Sequence, residues 1–235
     1  LAFSWRKLLL PLAEAGYHVI APDQRGYGRT TGWDDRFDGD INSFRMLNFV
    51  KDTVALVYAL GYHTAAGVVG HDYGSPVAGW CSLIRPDIFT SVTLMSAPFP
   101  GPPALPFGEG ALAQRSAAPD VDVGLGELPR PRKHYRWYYS TREANANMWH
   151  APQGVHSFLR AYYHHKSADW AGNQPYELAS WAPEELAKMP TYYVMDRGVG
   201  MAETVAEEMP DAATISACTW LTEEELSVYA GEYSR

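Results

Sequence analysis

"VVGHDYGSPVAGW", residues 68–80, places an aspartate between two glycines where a strand-like run meets a helix-like one. The apolar run "AAGVVGHD" (65–72) reads as a buried strand, and Ser75 to Arg85 reads as a helix stopped before Pro86. Gly70-His71-Asp72-Tyr73-Gly74 therefore has the spacing of a nucleophile flanked by glycines on a strand-to-helix turn. A turn that tight strains the backbone at its centre, and a Cβ at either glycine is expected to clash with the helix or a neighbouring strand. The central side chain then stands clear of the sheet, beside a helix N-terminus whose N–H groups favour negative charge. The plainer reading of Asp72 is a helix N-cap or turn residue. The same glycine spacing recurs once, at Gly28 and Gly32 around Thr30, in a loop.

The residues on either side fit a strand–helix alternation. Trp5 to Ala15 reads as a helix closed by Gly16, and "YHVIAPD" (17–23) as a buried strand. Ser43 is expected to cap a helix running to Leu60, its inner face formed by Leu47, Val50, Val54, Val57 and Tyr58, with Gly61 ending it. "FTSVTLMS" (89–96) reads as a third strand. Such alternation predicts an α/β fold, a parallel sheet flanked by helices. From about Ala97 the character changes. "APFPGPPALPF" is too proline-rich for either element, and Lys133 to Ala171 reads as helical, crowded with Tyr, Trp and His. No further strand pattern is visible. The expected organisation is a partial sheet core over 1–97 and a mostly helical inserted cap over 98–235.

Composition narrows the function classes. A formal net charge of −8 and no basic stripe argue against a nucleic-acid partner. The longest apolar runs fall far short of a membrane span. Cys81 and Cys218 form no C-x-x-C and no disulfide framework; they read as buried free thiols of a reducing compartment, so a cytoplasmic location is expected. The eight histidines show no metal-ligand spacing, and no metal or organic cofactor is expected. Asp23 and Arg25 in "DQRGYG" read as an ion pair bracing a loop, and Glu223–Glu225 as a solvated helix start.

At these residues the sequence resembles the epoxide hydrolase branch of the α/β-hydrolase family. "APDQRGYGRTTG" (21–32), "VVGHDYGSPVAGW" (68–80) and "HYRWYYSTREANANMW" (134–149) carry the resemblance, which covers essentially the whole chain. It implies an α/β-hydrolase fold whose Asp72 carboxylate attacks an sp³ carbon and leaves an alkyl ester on the enzyme. Water then cleaves that ester at the aspartate's own carbonyl, with the Tyr73 backbone N–H as oxyanion donor. A cap phenol assists the departing epoxide oxygen, and Tyr135 in "HYRWYY" matches that position. Tyr162 and Tyr163 read as cap packing. Trp137 and Trp149 are expected to line an apolar substrate pocket. The implied partners are a small apolar epoxide and water.

The departures also matter. Tyr73 stands where a tryptophan usually follows this nucleophile; in haloalkane dehalogenases that indole holds the leaving halide, so dehalogenation is the second reading. A non-catalytic small-ligand-binding protein of the same fold is the third. The family's His-Gly-Phe-Pro motif, second cap tyrosine, catalytic acid and histidine are not found. The resemblance places them before Leu1 and beyond Arg235, so a fold truncated at both ends is expected. Residues 1–235 alone are expected to pack loosely and to lack multiple turnover.

Overall fold

A computed structural model describes residues 1–102 and 120–235, in two compact units, Leu1–Leu112 and Ala113–Arg235. In the first unit a 3-10 turn leads into α1 (Arg6–Glu14), and Gly16 leaves it at φ +93°. The helix expected from Ser43 starts later. Asp40 caps a separate 3-10 turn, Ile41–Phe44, and α2 spans Met46–Ala59 after Arg45, with no side-chain cap. Ser43 donates instead to the Asp40 carbonyl. Its inner face is also narrower than the spacing implied. Phe49 and Val50 are buried and Val54 and Val57 pack beside them, whereas Leu47 and Tyr58 are exposed.

β1 (Val68–His71) and β2 (Val92–Met95) pair in parallel, from Val68 opposite Val92 to His71 opposite Met95. Between them runs α3 (Gly74–Ile84), which buries Val77 and Cys81 against Phe49, Val50, Ile88 and Phe89. Each Val, Ile or Phe side chain there contributes about 1.5–3 kcal/mol on full burial. The strand expected at 17–23 forms no ladder among the described residues, and Tyr17 and Ile20 are exposed. An apolar run expresses a preference for a covered, pleated surface; without an in-register partner it stays irregular. The Asp23–Arg25 pair does not form either. Arg25 reaches α2 and grips Asp52 at 2.6 and 2.8 Å, while Asp23 accepts the N–H groups of Ala2 and Arg29. Burial alone would raise the Asp23 carboxyl, but those two backbone donors, together with nearby positive charge that includes Arg29, hold it below the usual range.

The second unit is mostly helical: α4 (Val121–Glu127), α5 (Tyr135–Tyr139), α6 (Arg142–Trp149), α7 (Gly154–His165), α8 (Pro183–Leu186), α9 (Met201–Ala206), α10 (Ala212–Ala217) and α11 (Glu223–Tyr233). It also holds an antiparallel pair that the sequence reading missed, β3 (Arg132–His134) with β4 (Val194–Asp196). Three residues are too few to show a period of two, and β3 is charged yet buried. Arg132 is held by the Val194 carbonyl at 3.0 Å and lies 3.6 Å from Asp196, and the Lys133 ammonium lies 4.3 Å above the Tyr138 ring. Leu125, Leu186 and Val194 form a fully buried cluster behind the ladder. Glu223 is not simply solvated: it accepts from the buried Arg160 guanidinium at 2.5 Å, and Thr222 with Glu225 closes a capping box.

Asp196 ties this unit to pH. Its bidentate bond from Arg130, at 2.6 and 2.7 Å, holds its carboxyl below the ordinary value. A depressed folded-state value stabilises the fold above the unfolded value of about 3.9, and the contribution disappears as pH falls through the folded one. Asp196→Asn is therefore expected to lower the melting temperature at pH 7, with the gap to the parent closing as pH drops below about 4. A gap that stays constant with pH would assign the loss to packing.

Candidate active site

The turn from β1 to α3 is built by crowding. A Cβ on Gly70 would lie 2.1 Å from the Gly74 carbonyl oxygen and 2.7 Å from the Ser75 nitrogen, both backbone atoms. The expected clash is thus real at Gly70. It is absent at Gly74, where a Cβ would meet only Gln24 Nε2 at an ordinary 3.5 Å. Asp72 takes φ +52°, and Ser96, just past β2, takes φ +69°. The left-handed region costs a non-glycine residue about 1–2 kcal/mol, with aspartate among the types that visit it most readily. Two such residues at the carboxyl ends of adjacent parallel strands occupy the edge where open α/β sheets place their ligands.

Backbone bonds hold the turn. The Asp72 N–H donates to Met95 O at 3.1 Å, and the Ser75 N–H to Asp72 O at 3.0 Å. Asp72 is exposed, and its Oδ1 accepts the Tyr73 N–H at 2.6 Å. Among the described residues Oδ2 has no hydrogen-bond partner. The two carboxylate oxygens are therefore unlike: one is held by an amide, the other is open to a reactant. Tyr27 sits close by, its phenol raised by burial and by the neighbouring Tyr73 and Asp72. Burial also raises the Tyr73 phenol, whose ring packs edge-on against Phe49. Neither Tyr27 nor Ser75 was singled out from sequence. The signal for Ser75 was a small polar residue directly after the turn's second glycine.

The second unit carries the other expected site residues. Tyr135 opens α5; its N–H donates to Tyr193 O at 2.8 Å, and its ring lies against His134, Tyr139 and Tyr193. The Tyr139 hydroxyl lies 3.3 Å from that of Tyr162, which accepts from Lys166 Nζ at 3.3 Å. Burial, then the adjoining Tyr162, pushes the Tyr139 phenol far up. Trp137 lines a hollow with Asp122, His134, Arg136 and Trp181, and its ring faces the Arg197 guanidinium at 5.8 Å. Trp149 stacks on His150 at 5.4 Å. Cys81 is buried and Cys218 half-buried, both as thiols. Among the described residues no cluster of three or more His, Cys, Asp or Glu is placed to hold a metal ion. Nor is any described helix long and apolar enough to cross a membrane.

Comparison with known proteins agrees with this architecture. The sequence model of the alpha/beta hydrolase fold matches residues 3–177. Epoxide hydrolase B of Mycobacterium tuberculosis is 39% identical over 112 residues, 46% of this chain and 30% of the relative. Epoxide hydrolase A of the same organism is 27% identical over the whole chain and 60% of its own length. Among solved structures, an epoxide hydrolase from an endophytic Streptomyces matches with a TM-score of 0.66 at 31% identity, covering 100% of this chain and 58% of that one. Epoxide hydrolase A from Mycobacterium thermoresistibile shares the fold, with a TM-score of 0.65 at 24% identity, over 100% of this chain and 60% of its own. The chain thus spans 60% or less of the length of these relatives. A glycine-crowded turn on a parallel strand pair, with a family match reaching well past it, leads to one conclusion: the chain belongs to the α/β-hydrolase fold family and resembles its epoxide-hydrolase members.

Proposed function

We propose that the protein carrying this chain opens an epoxide to a diol through an alkyl ester on Asp72, with no metal or organic cofactor. The observation that supports this most is the asymmetric Asp72 carboxylate, one oxygen bound by the Tyr73 N–H and the other open. Oδ2 attacks an sp³ ring carbon and the C–O bond breaks. The electron pair goes to the ring oxygen, which takes a proton from a phenol. Water then adds to the Asp72 carboxyl carbon. Negative charge gathers on Oδ1, where the amide donor already points. The bond from that carbon to Oδ2 breaks, and Oδ2 leaves in the diol with the proton that the activated water gave up. Water activation in this step calls for a histidine–acid pair. The substrate is a small apolar epoxide, with Trp137 and Trp149 supplying apolar surface.

This route makes a specific isotope prediction. A single turnover of the intact gene product in ¹⁸O-water yields unlabelled diol, because the new product oxygen comes from Asp72 and the label enters the carboxylate. Labelled diol in that turnover would mean direct attack by water. Halide release from an alkyl halide without epoxide turnover would select the dehalogenase reading, and ligand binding with no adduct the non-catalytic one.

Tyr135 is the proposed proton donor. Tyr135→Phe is expected to slow ring opening about 10²-fold while leaving hydrolysis of a preformed ester nearly unchanged. Tyr139→Phe is the companion measurement, because the Tyr139 hydroxyl is hydrogen-bonded to a second phenol, that of Tyr162. A selective loss in the Tyr139 variant alone would move the donor there.

A further inference from the structure

We infer that Ser75 is a positioning residue for the Asp72 nucleophile, an inference that rests on the reaction proposed above. Ser75 is completely buried in the first turn of α3. Its Oγ lies 2.9 Å from Gly70 O and 2.8 Å from Met95 O, and accepts the Met95 N–H at 3.1 Å. A hydroxyl has one proton to give. Met95 O already receives the Asp72 N–H at 3.1 Å and the Ala97 N–H at 2.9 Å, so the Ser75 proton goes best to Gly70 O. One side chain therefore joins three backbone pieces: the residue two before Asp72, the residue of β2 opposite His71, and the start of α3. The same Met95 carbonyl holds the Asp72 amide. Ser75 thus closes a ring of bonds around a residue at φ +52° and sets where its carboxylate stands relative to the Tyr73 N–H. Ser75 touches no reacting atom and acts through Asp72.

The test is the rate of Asp72 alkylation in the intact gene product, read by rapid acid quench and mass spectrometry over a range of epoxide concentrations. Ser75→Ala is expected to lower the limiting first-order rate by about 10–100-fold, the scale on which small misplacements act. The half-saturating concentration should change less than threefold. A purely structural role would reduce the fraction of protein labelled and leave the rate of that fraction unchanged. Val77→Ala, a core truncation on the same helix, is the control and should lower the melting temperature without slowing labelling. If the alanine variant does not fold, Ser75→Cys serves instead, since a thiol is only a weak donor, and the same loss is expected. An unchanged limiting rate in the folded variant overturns the inference alone. No Asp72 adduct in the unsubstituted protein strikes the proposed reaction and the inference with it.

Discussion

Asp72→Ala is expected to abolish both diol formation and the acid-stable adduct, a fall of about 10⁴–10⁶ by analogy with removal of other covalent nucleophiles. The size follows from the chemistry of the turn. Without a carboxylate, the epoxide must wait for unassisted water. The other reactive groups at hand do not substitute. The Ser75 hydroxyl is buried and committed to Gly70 O and Met95, and a phenol is protonated at neutral pH at its ordinary pKa of about 10, with the Tyr73 phenol shifted further up. Alanine keeps the Cβ but loses the Oδ1 bond to the Tyr73 N–H that eases aspartate at φ +52°, a change worth about 1 kcal/mol. The variant is therefore expected to fold with a melting temperature within a few degrees of the parent, which separates loss of the nucleophile from loss of structure. An adduct on another residue, or diol from the folded alanine variant, would falsify the assignment.

The parts of this fold that were legible share a physical cause, and so do the parts that were not. The β1–α3 turn could be read because its glycines report a local event: at position 70 the backbone comes within 2.1 Å of where a Cβ would stand. β1 and β2 could be read because each is a short run rich in β-branched and apolar residues, and α3 because Gly74 and Pro86 bound it, although the burial expected of β1 is not seen: Val69 is exposed, as is β2. The strands β3 and β4 could not. Their stability comes from partners 62 residues apart in the chain, as when Arg132 is satisfied by the Val194 carbonyl, and nothing local in "RKH" announces burial. Arg25 shows the same limit. Its nearest acid in sequence is Asp23, but backbone amides already occupy that carboxylate, and the guanidinium takes the two oxygens of Asp52. At the site, the glycine-flanked aspartate was visible, while Ser75 was not, because its partners are backbone atoms 5 and 20 residues away. The proline-rich stretch 97–107 lies outside the described residues from position 103 on.

Gly70→Ala and Gly74→Ala are expected to differ sharply, although the spacing makes the two glycines look equivalent. At position 70 the new methyl would stand 2.1 Å from Gly74 O, 2.4 Å from Gly74 C and 2.7 Å from Ser75 N. These are main-chain atoms of the turn, so no side chain can swing away. Relief requires α3 to move off β1, which breaks the Ser75 bonds to Gly70 O and Met95 and frees the Asp72 amide. Overpacking of this kind costs about 3 kcal/mol, which for a domain of about 150–250 residues lowers the melting temperature by roughly 6–12 °C. Asp72 labelling should slow by about 10²-fold or more in whatever population folds. At position 74 the methyl meets only the flexible Gln24 amide at 3.5 Å, in the first turn of α3, where alanine is the better helix former by about 1 kcal/mol. Gly74→Ala is therefore expected to leave stability within about 1 kcal/mol of the parent and the labelling rate within a few-fold. Thermal melts and acid-quench labelling of the two variants together decide the point. Equal losses would mean that the second glycine answers to something the static turn does not contain, such as close approach of the substrate to the start of α3. A neutral Gly70→Ala would mean that the turn opens readily, and that neither crowding nor the Ser75 bonds hold Asp72 in its left-handed conformation.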